Sequence, residues 1–364
     1  WTDLDNKRIE STDLLGNDRQ QVVSNIPEPF GLTQYQDYIF WSDWEEKSIQ
    51  KADKITGLNR TKIQDKLDYI MDISVFHASR QAGWNTCAVH NGGCQHICVA
   101  HSSEFGEDKP THHCECPDHY RLGDENTTCS APESFLLYSQ RNATSRMVFA
   151  YDDSPIIVLP IQGLKNIKAM TFDPVDEYIY WIDKKAIKKG KDNGTKLSYV
   201  VQNSKDNITL QPYDVDIDPY TGHLYWSDQN QNVINVTRLD GTAVGIVVRA
   251  VGQKPRSLAL APNHGLMFWT NMIDTPRIER CALDGTGNVS ILFSPNIRQP
   301  GHLAVDEKSK RIFWADTELN TINSADFAGG GMKVLTNYQI KDVVGLTVHG
   351  PYYYWIDKGN KLLE

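Results

Sequence analysis

Six of the seven cysteines lie close together, in a segment that also contains His96, His112 and His113. Thiols and imidazoles can build either a disulfide framework or a zinc site. The gaps between these cysteines match none of the usual zinc-ligand spacings, so we predict disulfides and no metal. The spacing alone leaves several connectivities open. The odd cysteine, Cys281, is expected to be a buried free thiol, with intermolecular pairing as the alternative. The clustered cysteines are Cys87, Cys94, Cys98, Cys114, Cys116 and Cys129.

Asn-X-Ser/Thr sequons recur along the chain and indicate an oxidising, secretory compartment, which favours disulfides over thiolate ligands. An occupied sequon has to be exposed, so each one also marks surface that a protein partner does not use. The predicted glycosylation sites are Asn59, Asn126, Asn142, Asn193, Asn207, Asn235 and Asn288.

The elements that must hold these groups follow from a repeated tetrapeptide: an aromatic residue, Trp, a small or apolar residue, and usually Asp. It recurs about every 40–45 residues among short apolar runs and turn residues, a pattern typical of a β-propeller. One repeat cannot bury a face alone, so neighbouring blades must stack. The copies lie in Ile39–Asp43, Ile179–Asp183, Leu224–Asp228, Ile312–Asp316 and Tyr353–Asp357, with Met267–Asn271 as a variant and Trp1–Asp3 as a partial copy.

The Asp of the repeat is predicted to be structural, accepting hydrogen bonds where blades meet, because a catalytic residue rarely recurs in every repeat. Asp-Gly pairs such as Asp240-Gly241 and Asp284-Gly285 suit the positive φ angles of tight hairpins. A propeller without a catalytic constellation usually binds other macromolecules. The repeats therefore favour recognition over chemistry.

The net charge of −9 disfavours nucleic acid as a partner and favours basic ones. No apolar run is long enough to cross a membrane as a helix, and no signal peptide opens the chain. Because the chain begins inside a repeat, at Trp1, we expect a fragment of a longer protein.

The cysteine-rich segment resembles an EGF-like module. That resemblance implies the pairs Cys87–Cys98, Cys94–Cys114 and Cys116–Cys129. Calcium-binding modules of this kind carry acidic residues just before the first cysteine, whereas this chain has Gly83-Trp84-Asn85-Thr86 there. No calcium site and no other cofactor is expected.

YWTD-type repeats followed by one EGF-like module and further repeats resemble the low-density lipoprotein receptor family. Within it, four phrases look like the Wnt co-receptor branch, the Arrow-type receptor-related proteins. These phrases are PFGLTQYQDYIFWSDW, DYIMDISVFH, SRQAGWN and INVTRLDG. The resemblance implies an all-β fold of six-bladed YWTD propellers, both incomplete in this chain, joined by the disulfide-rich module.

The same resemblance implies three domains. Residues 1–83 would supply the C-terminal blades of a first propeller, with Tyr69–His77 as the strand of a degenerate last blade. Residues 84–130 would be the EGF-like module, and residues 131–364 a second propeller with its last blade missing. Trp84, Ile97 and Tyr120 are expected to pack the module beneath the preceding ring.

Trp44 directly follows a repeat, where the strand should end, and the equivalent places in later repeats hold no aromatic residue. Phe30 precedes a strand, and Tyr69 and Met71 precede the predicted degenerate strand; for Phe30 and Met71, core packing is the alternative. With Asp5 and Glu28 in nearby loops, they predict an apolar centre with an acidic rim, as in protein-binding hot spots. A second, less specific candidate set is Tyr213, Arg256 and His302.

The resemblance implies that Trp44, Phe30, Tyr69 and Met71 contact Wnt proteins and Dickkopf-type antagonists, while Asp5 and Glu28 meet basic ligand residues. Glu28 stands where relatives commonly have histidine. The implied setting is the extracellular ectodomain of a single-pass plasma-membrane receptor. A Frizzled-type receptor would join a ternary complex, and a folding chaperone would serve the YWTD propellers.

Two other function classes remain open from sequence. One is an endocytic lipoprotein-type receptor that releases its ligand at low pH, although the eleven histidines are scattered. The other is a propeller enzyme, which would need ionisable residues converging on the channel. The acidic residues recur by repeat position instead, so we expect no enzyme.

Overall fold

The computed structural model describes residues 1–80, 83–101, 111–149, 155–203, 210–249, 254–272, 275–286, 289–293, 297–336 and 340–363. The chain forms two compact units. The first comprises Trp1–Pro117 and Leu122–Cys129, and the second comprises Asp118–Arg121 and Ser130–Glu364. None of the described helices is long and apolar enough to cross a membrane.

The first unit begins with two antiparallel sheets in which strands adjacent in sequence pair. One sheet contains β1 (Thr2–Asp3), β2 (Arg8–Ser11) and β3 (Gln20–Val23). The other contains β4 (Pro29–Tyr35), β5 (Tyr38–Asp43), β6 (Ser48–Asp53) and β7 (Thr61–Gln64). Trp41 of the repeat is fully buried among Ile9, Ile26 and Ala52, so the aromatic repeat residue is the core residue between the two sheets.

The strand predicted at Tyr69–His77 is wrong, because in the structure this segment forms no strand. It is followed by a short 3-10 helix, Ala78–Arg80, and Arg80 donates to the hydroxyl of Thr33 on β4 at 2.8 Å. A run of residues becomes a strand only where another strand completes its hydrogen-bond ladder. Among the described residues, no strand pairs with residues 69–77 in a sheet.

The cysteine-rich module is held by disulfides more than by an apolar core. Two short 3-10 turns, Thr86–Ala88 and His90–Gly93, precede the hairpin β8 (Ile97–His101) and β9 (Thr111–Glu115). A second hairpin pairs β10 (Arg121–Leu122) with β11 (Cys129–Ser130). The structure has the three disulfides that the EGF resemblance implied: Cys87–Cys98, Cys94–Cys114 and Cys116–Cys129.

These bonds settle the choice between disulfides and zinc. The sulfurs of Cys94 and Cys98 lie within 4.8 Å of a ring nitrogen of His112, which by itself would suit a metal. Both sulfurs are in disulfides, so neither is available as a thiolate ligand. Trp84 is 64% exposed and Ile97 42% exposed, so the packing predicted for these two side chains is wrong.

In its described residues the second unit contains six antiparallel sheets. The first has β12 (Phe135–Ser139), β13 (Thr144–Val148) and β14 (Ile157–Val158), and the last has β31 (Val343–His349), β32 (Tyr352–Asp357) and β33 (Leu362–Leu363). The four sheets between them are four-stranded. Their strands are β15 (Ile167–Asp173), β16 (Tyr178–Asp183), β17 (Ala186–Lys191), β18 (Ser198–Val201); β19 (Pro212–Asp218), β20 (His223–Asp228), β21 (Val233–Arg238), β22 (Ala243–Arg249); β23 (Pro255–Ala261), β24 (Leu266–Asn271), β25 (Arg277–Ala282), β26 (Ser290–Phe293); β27 (Pro300–Asp306), β28 (Arg311–Asp316), β29 (Thr321–Asp326) and β30 (Lys333–Thr336). A 3-10 turn, Pro262–His264, links β23 to β24.

The expectation that the last blade of this unit is missing stays a prediction; of the described sheets, the first and the last have three strands each. Trp355 of the fifth repeat lies in the last sheet, and the first sheet was missed because Leu137-Tyr138-Ser139 has no Trp. The first and last sheets meet where the ring of Phe149 stacks on His349, with 5.3 Å between centroids. The number of blades in each complete propeller stays a prediction.

The first strand of each four-stranded sheet in this unit lines a shared cavity of about 610 Å³. These inner strands lie in register, since Thr171 on β15 donates to Asp216 on β19 and Ser257 on β23 donates to Asp214 on β19. Each sheet pairs its strands in chain order, so equivalent turns of all the sheets open at the same end of the ring. This arrangement is that of a β-propeller.

The Asp of the repeat fastens two loops together. Asp316, 1% exposed, accepts from the backbone N–H groups of Arg298 and Gln299 before the inner strand and of Glu318 and Leu319 in the next turn, at 2.8–3.2 Å. Asp228 and Asp357 accept equivalent bonds. The predicted structural role of this Asp is confirmed.

Cys281 is buried in the core of the second unit, 5% exposed, beside Met267 and Trp269. Burial, with Asp284 and Glu279 nearby, raises the pKa of its thiol to about 12. The predicted buried free thiol is confirmed.

Residues 118–121 are held in the second unit by contacts with Arg146, by a bond of 2.7 Å between His119 and the carbonyl of Pro155, and by a bond from Tyr120 to Asp192. Arg146, with a side chain 7% exposed, forms an ion pair with Asp192 at 2.7 Å. Its guanidinium also donates to His119 at 3.2 Å and lies 5.6 Å from the ring centroid of Tyr120. Tyr120, expected to pack beneath the first ring, instead donates to Asp192 of the second unit at 3.4 Å.

Candidate ligand-binding face

The backbone register of β4 and β5 brings the two predicted aromatic residues together. Pro29 pairs with Asp43, so Phe30, next to Pro29, lies beside Trp44, which begins the turn after β5. Their rings stack with centroids 4.2 Å apart and an angle of 22° between planes. Phe30 is 41% exposed and Trp44 36% exposed, so the pair presents a continuous apolar surface. The alternative that Phe30 is a core residue is wrong.

Backbone groups on two sides fix the orientation of Trp44. Its N–H donates to the carbonyl of Glu28 at 3.0 Å, and its indole N–H donates to the carbonyl of Ile70. A side chain held in this way loses less conformational freedom when a partner binds. The Trp44 ring is therefore preorganised on the surface.

The segment that carries Ile70 crosses the start of β4 so closely that only glycine fits beneath it. A Cβ added to Gly31 would lie 2.9 Å from the Cα of Asp72, nearer than van der Waals contact allows. The amide of Gly31 is in turn bonded to the hydroxyl of Ser42 at 2.9 Å. Gly31 thus keeps the segment against β4, and the segment supports Trp44.

The remaining predicted residues surround the aromatic pair and are exposed. Tyr69 is 95% exposed and Met71 62% exposed, on either side of Ile70, so the core-packing alternative for Met71 is also wrong. Tyr69 has a φ of +61°, a strained conformation for a bulky residue that is often associated with functional sites. Asp5 lies in the turn between β1 and β2. Thr2, on β1, donates to the carbonyl of Phe30 at 2.9 Å.

The acidic rim includes one carboxylate that was not predicted from the sequence, that of Glu45. Glu45 follows Trp44 directly and is exposed, like Asp5 and Glu28. In the described part of the chain, none of these three carboxylates forms an ion pair. The carboxylate of Glu46, by contrast, is paired with a lysine. The hydrogen bond from Lys62, at 2.8 Å, and the positive charge of Arg60 both lower the pKa of Glu46. The place of Glu45 in the same turn as Trp44 could have suggested it from sequence. The hydrogen bond from Trp44 to the carbonyl of Ile70 could not be predicted in this way, because Ile70 is distant in the chain.

The predicted glycosylation sites differ in exposure. Asn59, Asn126, Asn142 and Asn193 are exposed and can carry glycans. The side-chain nitrogen of Asn235, the atom that would bear the sugar, is buried, which disfavours glycosylation there; the site stays a prediction. Asn235 lies on β21, where its sheet neighbours cover it. The sequons at Asn207 and Asn288 lie outside the described residues.

Of the second candidate set, His302 lines the cavity in the second unit, while Tyr213 and Arg256 lie on the inner strands β19 and β23. The guanidinium of Arg256 lies 4.9 Å from the ring centroid of Tyr213. Asp214 accepts from the hydroxyl of Ser257 at 2.7 Å and from the amide of Leu258 at 2.9 Å. Burial raises the pKa of Asp214 and lowers that of His302, so burial disfavours the charged form of each.

These groups do not form a nucleophile and base. The Ser257 hydroxyl donates to Asp214 and accepts from the amide of Leu303 at 3.0 Å, so it bridges three inner strands. Nucleophilic catalysis needs the hydroxyl proton directed at a base with access to substrate. Ser257 is 2% exposed, and its geometry is that of a structural bridge.

Comparison with known families gives two local matches. Residues 87–129 match the family described as Coagulation Factor Xa inhibitory site, and residues 222–260 match Low-density lipoprotein receptor repeat class B. The first range is the disulfide-bonded module, and the second runs from the turn before β20 through most of β23 of the second unit.

Whole-chain relatives are receptors. All of the chain is 44% identical to part of low-density lipoprotein receptor-related protein 5 of Mus musculus, covering 22% of that protein. It is 33% identical, again over its full length, to low-density lipoprotein receptor-related protein 4 of Rattus norvegicus, covering 19%. The chain thus spans about a fifth of the curated relatives it matches.

Among solved structures, a nidogen/laminin complex contains a chain similar to 63% of this one, covering 87% of that chain, with a TM-score of 0.57 and 24% identity. This likeness shows the fold alone. The sequence relatives are receptors rather than enzymes, in agreement with the bridging geometry of Ser257. Over its full length the chain is similar to part of two low-density lipoprotein receptor-related proteins, and its second unit carries a match to low-density lipoprotein receptor repeat class B within a β-propeller.

Proposed function

We propose that this region binds Wnt proteins and Dickkopf-type antagonists as part of a Wnt co-receptor, through the face that carries Phe30 and Trp44. The observation that supports the proposal is the exposed, stacked and preorganised aromatic pair. Hot spots of protein interfaces are enriched in such anchors, surrounded by polar groups that exclude water. In this proposal the chain belongs to a single-pass plasma-membrane receptor.

The mechanism is recognition by burial and charge. An apolar ligand side chain packs on the Phe30–Trp44 surface, with Met71 and Tyr69 extending the contact. Asp5, Glu28 and Glu45 attract basic ligand residues and raise the rate of encounter, an effect that salt weakens. A Frizzled-type receptor would bind the same ligand in a ternary complex, and a dedicated chaperone would assist folding of the propellers.

The test is binding of purified Wnt and Dickkopf-type proteins to the intact chain, measured by biolayer interferometry. Trp44→Ala should weaken binding by more than about 2 kcal/mol, the usual threshold for a hot spot. Trp84→Ala is the matched control, since Trp84 is 64% exposed but belongs to the disulfide-bonded module. Near-ultraviolet circular dichroism of each variant checks folding.

A second variant separates loss of contact from loss of support. Trp44→Phe keeps an aromatic ring beside Phe30 but removes the N–H that donates to Ile70. Most of the affinity should remain if ring contact carries binding. Equal losses for Trp44→Ala and Trp84→Ala, or unchanged binding by Trp44→Ala, would place the ligand elsewhere.

A further inference from the structure

The two ends of the second unit carry opposite charge. In every four-stranded sheet, the turn after the second strand and the loop before the inner strand open at one end. The turns after the first and third strands open at the other. The first end is called the basic end below, and the second the acidic end.

Basic side chains dominate the first end. Most of these side chains are exposed, and within the described part of the chain none of them forms an ion pair. Acidic side chains in its described loops are Glu318 and Asp342, besides the Asp of the repeat, which is buried in hydrogen bonds to the turns. The basic residues are Arg141, Lys165, Lys168, Lys184, Lys185, Lys254, Arg256, Arg298, Lys341, Lys358 and Lys361.

The acidic end carries more carboxylates, although exposed basic residues also lie there: Lys196, Arg238, Lys308, Lys310 and Lys333. Its acidic residues are Asp176, Glu177, Asp192, Asp240, Asp284, Asp306, Glu307 and Asp326. Residues 118–121 contact this end through Asp192 and so leave the basic end uncovered by that segment. The overall charge of −9 therefore conceals a strongly positive surface.

The kind of partner follows from what the basic end lacks. Among its described residues it has no exposed aromatic pair like that of the first unit, and the guanidinium of Arg256 lies over the ring of Tyr213. Protein interfaces gain most of their affinity from desolvated aromatic and apolar anchors. Solvated lysines spread around a ring instead suit a flexible chain with closely spaced negative charges. In the extracellular compartment indicated by the disulfides, sulfated polysaccharides have this chemistry.

We propose that the basic end of the second unit binds a sulfated polysaccharide. The negatively charged sulfates pair with lysines from several sheets at once, so that affinity arises from many weak contacts. Such binding is strong at low ionic strength and falls steeply as salt screens the charges. The surface is separate from the Phe30–Trp44 face and takes a partner of opposite charge.

The experiment is surface plasmon resonance of the intact chain on immobilised heparin, across a series of sodium chloride concentrations. The double variant K185E/K358E reverses two exposed charges of the basic end and should weaken binding at least about tenfold. The control K308E/K310E makes the same charge change at the acidic end and should alter affinity by less than about twofold. Glu is tolerated at position 310, because Glu177 has the same turn position and a similar positive φ.

Each outcome decides the proposal. Loss restricted to K185E/K358E, with salt-dependent binding by the wild type, supports it. Absence of wild-type binding, or equal loss in both double variants, overturns it. Polyglutamate that competes as well as heparin at equal charge concentration also overturns it, because the surface would then select any polyanion. Unchanged thermal melting of both variants excludes misfolding as the cause.

Discussion

Removing the guanidinium of Arg146 should weaken the attachment of residues 118–121 within the second unit, while the bonds of His119 to the carbonyl of Pro155 and of Tyr120 to Asp192 remain. Arg146→Met keeps an unbranched stem against Tyr120 and Phe135 but removes the ion pair with Asp192 and the bond to His119. Breaking a fully buried pair costs about 3–5 kcal/mol. An exposed pair contributes at most about 1 kcal/mol.

This ion pair lies between those limits, since the Arg146 side chain is 7% exposed and that of Asp192 is 29% exposed. We therefore expect local opening of residues 118–121 to become easier by about 2 kcal/mol. A double-mutant cycle with Asp192→Asn should give a coupling energy of about 1–2 kcal/mol.

Amide hydrogen exchange measured by mass spectrometry suits this prediction, because it reports local opening in a chain whose global unfolding need not be two-state. The peptide to follow spans residues 118–122. Arg311→Met is the matched control, since the described partners of Arg311 are neutral oxygens, those of Ser324 at 2.9 Å and Gly331 at 3.0 Å. Exchange that changes equally in both variants, or a coupling below about 0.5 kcal/mol, would refute the reasoning.

Two further predictions concern the second unit. Gly285 has a φ of +74°, and a Cβ there would lie 2.5 Å from the carbonyl oxygen of Val247 in the preceding sheet. Gly285→Ala should therefore destabilise the unit by about 2 kcal/mol or more in urea unfolding. Gly222→Ala is the control, because Gly222 has a φ of +69° but open space where a Cβ would lie. Burial raises the pKa of Asp216 to about 6 from 3.8, so this group's contribution to stability is complete below 3.8 and is lost as pH rises through 6. The difference in unfolding free energy between wild type and Asp216→Asn should change between pH 3.8 and about 6. A difference that does not change with pH would contradict the raised pKa of the Asp216 carboxyl.

Local sequence carried enough information to predict the architecture. Trp41, Trp226 and Trp314 recur because each fills the same buried place in a sheet, and Asp228 and Asp316 recur because each caps the same turn. Because equivalent positions in successive sheets require the same residue type, the repeat can be recognised from the sequence alone.

Sites made by partners distant in the chain were harder to predict. Tyr69–His77 has the composition of a strand but forms none, because strand formation depends on a partner. Asn235 has a sequon but a buried nitrogen, because burial depends on the neighbouring strands. The sheet β12–β14 was missed because it lacks the Trp that marks the others.

Residue type and spacing predict the all-β repeat architecture and the disulfide-bonded module. They also single out the residues of the aromatic and acidic candidate face, whose role in binding stays a prediction. Only the tertiary structure decided that Phe30 and Trp44 stack, that the carbonyl of Ile70 holds the indole, and that lysines from separate repeats share one end of a ring. The physical reason is that contacts between residues far apart in the chain depend on sheet register and on the packing of neighbouring blades. A single sequence states neither of these directly.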